Sequence, residues 1–143
     1  MTVARILKEK GRDVVTTQPH RTLREAAALL AERRVGAAVV SDPSMTVLGI
    51  ISERDIVRAI GVGNASALEE PVSRYMTARV TTVDENTPID NVMEMMTTGR
   101  FRHVPVVEEG RLVGIISIGD VVKRHVDALD SERRALRDYI ATA

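Results

Sequence analysis

The stretch GIISERDIVRAI at residues 49–60 returns near the other end of the chain as GIISIGDVVKRH at residues 114–125. An apolar run ending in Ser, with Asp three positions later and a helical pattern after it, therefore occurs twice. A self-match of this kind decides an architecture before any single motif does. Followed outward, it takes in most of the chain. Val3-Ala4-Arg5-Ile6-Leu7 matches Val72-Ser73-Arg74-Tyr75-Met76, each expected as a short segment ahead of a strand, and VVTT at 14–17 matches VTTV at 80–83. Leu23, Ala26, Ala27 and Leu30 mark one helix face, and Ile89, Val92, Met93 and Met96 repeat it 66 positions later. Short strands follow at GAAVV 36–40 and HVPVV 103–107, then at VLGIIS 47–52 and LVGIIS 112–117, with one extra residue in the first copy's turn.

Each copy thus reads strand, helix, strand, strand, helix. The first is expected over 3–61 and the second over 72–127, with a linker at 62–71 and a helical tail at 128–143. A small sheet with helices on one face is half a core, so the expected fold is one α/β (α+β) module in which the copies pack about a pseudo-two-fold axis. The 143 residues suffice for one such core and not for two.

Composition removes several function classes. Lys+Arg and Asp+Glu both number 20, so there is no general attraction to nucleic acid or to an anionic membrane. Phe101, Tyr75 and Tyr139 are the only aromatic residues, too few for base stacking. With no Cys and three His, disulfides are excluded and a Cys/His zinc site lacks ligands. No run of about 18 apolar residues occurs, and the N-terminus lacks a signal pattern, so the expectation is a cytoplasmic protein.

The Ser and Asp three apart admit two readings. Ser52 and Ser117 can cap the following helices, with Asp55 and Asp120 reaching back, although the best reciprocal residue is the longer Glu or Gln. Alternatively, each helix N-terminus opens at the end of a sheet, where free N–H groups and the helix dipole favour an anion and a carboxylate can accept from vicinal ribose hydroxyls. Arg100, Arg102 and His103, and Arg54, Lys123 and Arg124 near the motifs, offer cations for a phosphate. Pro105 interrupts a strand and so implies an edge or bulge beside an opening.

The doubled G-I-I-S-x-x-D, each copy preceded by a helix at the same offset, resembles the cystathionine-β-synthase (CBS) domain pair, or Bateman module, over nearly the whole chain. The resemblance implies a regulatory sensor without catalytic cofactor, binding AMP foremost, then ADP, ATP or NAD(H). S-adenosylmethionine fits less well, because its sulfonium gives the Arg cluster nothing to bind. It also implies two clefts. Ser117, Asp120, Thr82, Arg100, Arg102, His103, Pro105 and Arg124 are expected in the second and tighter one; Ser52, Arg54, Asp55 and Thr16 in the first. Homodimerisation through the repeat helices is implied too, consistent with AAALLA at 26–31 being apolar on more than one face, and a target protein remains unnamed. The alternatives are a constitutive dimeric adaptor with vestigial clefts and a small nucleotide-processing enzyme. No carboxylate cluster for Mg²⁺ and no nucleophile with an adjacent base stand out for the latter. GVGNAS at 61–66 lacks the third glycine of a dinucleotide fingerprint and follows a helix, with Gly61 as its expected C-cap. Met93, Met95 and Met96 are expected in packing, and the tail carries Leu129, Leu136 and Ile140 on one face with Ser131 as its expected cap.

Overall fold

The computed structural model describes residues 1–142. Helix α1 (Val3–Lys10) leads to the short strand β1 (Thr16–Thr17), helix α2 (Leu23–Arg33), strands β2 (Ala37–Ser41) and β3 (Val47–Ser52) and helix α3 (Glu53–Gly63). A 3₁₀ turn (Ala65–Glu69) precedes α4 (Val72–Tyr75) and β4 (Thr77–Ala78). The second copy continues with α5 (Ile89–Gly99), β5 (His103–Glu108), β6 (Arg111–Ser117) and the long α6 (Ile118–Thr142).

The expected order holds in both copies from the first long helix onward, and the first strands differ for a local reason. In the first copy β1 runs parallel to β2, with the Val39 N–H donating to Val15 O at 2.9 Å. Its counterpart Pro105 has no N–H to give. The second copy's first strand accordingly shrinks to one parallel bridge, Val83 with Val106. The strand β5 nonetheless pairs antiparallel with β6 along its length, with a bulge between Val106 and Val107 next to the proline.

Two features depart from the sequence reading. The segments at 3–7 and 72–76 are helical, and each leaves its own copy. Val3, Ile6 and Leu7 of α1 are buried among Val83, Val92, Met96, Val104, Val106, Ile116 and Val121 of the second copy. Val72, Tyr75 and Met76 pack with Leu23, Ala26, Leu30, Ile51 and Ile56 of the first. The exchange is completed by β4, which adds to the free side of β3 and makes a four-stranded sheet, β1-β2-β3-β4. Neither copy closes its core alone. A third cluster, Ala37, Val39, Ile50 and Leu112 flanked by Val80 and Ile115, lies between the two sheets. Alternation along β2 explains the layering: Ala38 and Val40 face the helices, Ala37 and Val39 the opposite sheet.

Gly49 and Gly114 mark where the exchanged segments cross. A Cβ on Gly114 would stand 2.7 Å from Leu7 Cδ2, and one on Gly49 would stand 2.6 Å from the Thr77 carbonyl oxygen. The glycine opening each repeated motif is thus there for close backbone approach. Two capping expectations are corrected. Gly61 lies inside α3, which continues to Gly63 and ends at Asn64 with φ 71°. Ser131 is internal to α6, which runs without interruption through the expected tail. Met96 is buried and Met93 and Met95 pack beside it, as expected.

Candidate functional site

Both Ser/Asp motifs form reciprocal caps. The Ser52 N–H and hydroxyl each donate to Asp55 Oδ2 at 2.9 Å, and the Asp55 N–H donates to Ser52 Oγ at 3.2 Å. Ser117 and Asp120 repeat the backbone contacts at 2.9 and 3.2 Å. Asp is therefore long enough to cap here, as the first of the two sequence readings has it, although Glu or Gln is the more usual reciprocal residue. Capping and ligand contact remain compatible, because Oδ1 of each Asp accepts no hydrogen bond among the described residues.

The two motifs have different surroundings. A cleft of about 380 Å³ opens at the first, walled by Gly36, Ile50, Ser52, Glu53, Arg54, Asp55 and Arg58 on one side. Thr77, Arg79, Val80, Thr81, Arg100, Phe101, Arg102 and His103 of the second copy form the other side. The cations expected around Ser117 thus line the cleft of Ser52. The pairing of β4 with β3 brings Thr77 and Arg79 to the first copy's motif, and Arg100, Arg102 and His103 reach it from the α5–β5 junction of the copy packed opposite. Arg100 enters as the left-handed C-cap of α5, φ 57°, and Arg79 also has positive φ, 55°. Arg54 and Arg58 share a face of α3, four residues apart. None of the five guanidiniums in this cleft belongs to an ion pair among the described residues.

His103 stands between the motifs. Its backbone pairs with Ser117 across β5 and β6, while the residue lines the cleft of Ser52. Burial pushes its imidazole below the usual histidine range, and nearby Lys10 and Arg102 add to the effect against the opposing pull of Asp120 and Glu53.

At the second motif a cation is already seated. Lys10 Nζ donates to Asp120 Oδ2 at 2.7 Å and to Ile115 O at 2.9 Å. Burial works to raise the Asp120 carboxyl, but the Lys10 hydrogen bond and the Ser117 N–H outweigh it, holding the group below the ordinary carboxylate value. Arg124, expected at a phosphate, is instead bonded to Glu9 at 3.1 Å and to Met1 Sδ at 3.0 Å, tying α6 to α1.

One further expectation is corrected: Thr16 lies in a separate depression with Gln18, Arg21 and Asp42, and does not line the cleft of Ser52. Thr82, expected beside Ser117, is exposed, and its neighbours Val80 and Thr81 line the cleft of Ser52. Pro105 pairs with Ile115 inside the hairpin and acts by shortening the first strand. Sequence reasoning missed Arg58, Arg79 and Thr77. Only Arg58 carried a readable signal, its i, i+4 spacing from Arg54.

No group of three or more His, Cys, Asp or Glu able to hold a metal occurs among the described residues, and no helix there is long and apolar enough to cross a membrane. The chain superposes on solved structures over most of its length. It is 50% identical to a CBS-domain containing protein, ATU1752, from Agrobacterium tumefaciens, with a TM-score of 0.84 over 87% of this chain and 99% of that one. It is 33% identical, TM-score 0.75, to the CBS domain protein PAE2072 from Pyrobaculum aerophilum complexed with AMP, over 84% of this chain and 89% of that one. The CBS domain pair of protein MJ0100, in complex with 5-methylthioadenosine and S-adenosyl-L-methionine, is 26% identical with a TM-score of 0.80 over 90% and 98%. The family profile for the CBS domain matches residues 3–62 and again residues 72–127. With two matched repeats covering most of its length and a fold shared with solved CBS pairs, this chain belongs to the CBS-domain family.

Proposed function

We propose that this protein is an adenine-nucleotide sensor whose working site is the cleft of Ser52 and Asp55. The observation that carries this reading is the set of five unpaired guanidiniums, Arg54, Arg58, Arg79, Arg100 and Arg102, facing one Ser/Asp motif. Against them stand the carboxylates of Glu53 and Asp55, so the lining carries a surplus of positive charge. An arginine left unpaired in a cleft is a donor fork awaiting a phosphate or carboxylate. The free Oδ1 of Asp55 suits a ribose hydroxyl, and Ile50 and Val80 offer apolar surface for a base. That related CBS pairs have been crystallised with AMP and with adenosyl compounds supports an adenosine ligand here.

The charge surplus orders the candidates. More phosphates engage more guanidiniums, so ATP and ADP rank above AMP, and S-adenosylmethionine, with its sulfonium, ranks last. NAD(H) presents two bridging phosphates and falls between. Calorimetric titration with AMP, ADP, ATP and S-adenosylmethionine tests the reading. Affinity is expected to rise with phosphate number and to fall with added salt. Binding of S-adenosylmethionine alone, or of none of the four, would overturn it.

Occupancy is read out, in this proposal, through the two-fold organisation of a homodimer. The groove between α2 and α3, lined by Ala27, Leu30, Ala31, Val35, Ile56 and Val57, leaves Val57 68% exposed. A second copy covering that groove meets α3, whose N-terminal turn carries Arg54 and Asp55. Ligand contacts on that turn then bear on the interface. The protein acts by binding, with no catalytic cofactor, on a target of its own, and resides in the cytoplasm.

A further inference from the structure

Past Arg124, every described residue of α6 is solvent-exposed, yet its sequence is not that of a solvated helix. Val122, Val126, Leu129, Leu136 and Ile140 are each 48 to 66% exposed and lie on one stripe. Their spacing of four, three, seven and four residues follows a heptad rather than the drift of a lone amphipathic helix, with Arg133 in the one core place that is not apolar. Val126, Arg133 and Ile140 take the a positions; Val122, Leu129 and Leu136 take the d positions.

We propose that the distal part of α6 pairs with α6 of a second copy of this chain as a parallel two-stranded coiled coil. The flanking charges choose the partner and its direction. In a parallel pair each g residue faces the e residue five places on in the other helix. This sets Glu132 against Arg137 of the partner subunit, an attractive pair, and places His125 beside Asp130 of the partner subunit as a hydrogen-bond donor. An antiparallel pair that keeps the same apolar layers opposes e to e and g to g. It sets Lys123 against Arg137, Asp130 against Asp130 and Glu132 against Glu132, all like charges. A single charged a residue fixes register at some cost in stability, and Arg133 fills that role, its stem lying on the seam and its guanidinium turned to water and the flanking Glu132 of the partner subunit. The interface is isologous, so two copies close it and no filament follows.

The chain has no native Cys, which makes cross-linking a direct test. A d residue meets its own copy across the two-fold axis, within disulfide reach. Leu136→Cys in the full chain is expected to form a covalent dimer under mild oxidation, whereas Asp138→Cys, two residues away on the outer face, is expected to stay uncoupled. Arg137→Glu is expected to weaken dimerisation about fivefold or more by dilution light scattering, since two pairs per dimer turn repulsive. Adding Glu132→Arg to it is expected to restore the dimer. Equal cross-linking of Leu136→Cys and Asp138→Cys, or none by Leu136→Cys, overturns the proposal. Cross-linking of Leu136→Cys only when mixed with Val126→Cys reports the antiparallel arrangement and overturns it as well.

Discussion

Lys10 Nζ lies 2.7 Å from Asp120 Oδ2, so the last residue of α1 closes onto the second Ser/Asp motif from the far end of the chain. Among the described residues no such cation reaches Asp55, whose carboxylate accepts only from Ser52. Two motifs alike in sequence therefore differ in state: one faces an open cationic cleft, and the other already holds its cation.

Lys10→Ala is expected to cost about 1 to 2 kcal/mol at pH 7, because it leaves a half-buried carboxylate with only its Ser117 contact. The folded-state pKa of Asp120 is depressed. The unfolded chain therefore binds more protons in the acid range, and the stabilisation from Asp120 is full above its ordinary value of about 3.9 and is lost as pH falls through the folded value. Urea unfolding of wild type and Lys10→Ala at pH 7 and pH 3 checks this: the gap between them is expected to narrow at pH 3.

His103 gives the opposite handle on binding. Its folded pKa is lowered, so as pH falls below about 6.5 the unfolded chain takes up protons first and stability declines. A phosphate placed among Arg100, Arg102 and His103 reverses that pressure by favouring the imidazolium. Nucleotide binding is expected to take up protons near pH 6.5, measured from binding heats in buffers of different ionisation enthalpy. Subtracting the same series for His103→Gln separates the uptake of the ring from the proton release of the phosphate, whose own pKa the guanidiniums lower. An unchanged uptake in His103→Gln contradicts a role for the ring.

Gly49→Ala and Gly114→Ala test the exchange of segments between the copies. The added methyl at position 49 meets a backbone carbonyl, Thr77 O at 2.6 Å, whereas at 114 it meets the movable tip of Leu7 at 2.7 Å. Gly49→Ala is expected to destabilise by about 2 to 3 kcal/mol and Gly114→Ala by about 1, both within the range of overpacking in a close-fitted core. Equilibrium denaturation with an unchanged m-value would report these as native-state effects.

The repeat, its helix faces and the paired strands were legible because each rests on local periodicity: Leu23, Ala26 and Leu30 announce a buried face whatever lies opposite. What lies opposite was not legible. Val3, Ile6 and Leu7 have a helical spacing that suits either core, and nothing local says that they fill the second copy's. Nor could local sequence show that Arg100 and Arg102 line the cleft of Ser52, while the Arg102 carbonyl accepts from the Ile118 N–H beside Ser117. Lys10 on Asp120 joins residues from opposite ends of the chain, a pairing that only tertiary structure creates. The short Asp of each motif left capping and ligand contact both open, because closing the cap depends on the backbone angle at Ser52, which side-chain length alone does not determine.

The central claim is that the Ser52 and Asp55 cleft, and not its repeat, holds the nucleotide. Calorimetry with ATP on wild type, Asp55→Ala and Asp120→Ala tests it most directly, with circular dichroism to verify that each variant is folded. Loss of hydrogen bonds to a charged acceptor is worth about 1.5 to 3 kcal/mol, so Asp55→Ala is expected to weaken binding roughly tenfold or more while Asp120→Ala stays near wild type. A greater loss from Asp120→Ala than from Asp55→Ala would contradict the account, placing the ligand where Lys10 now sits.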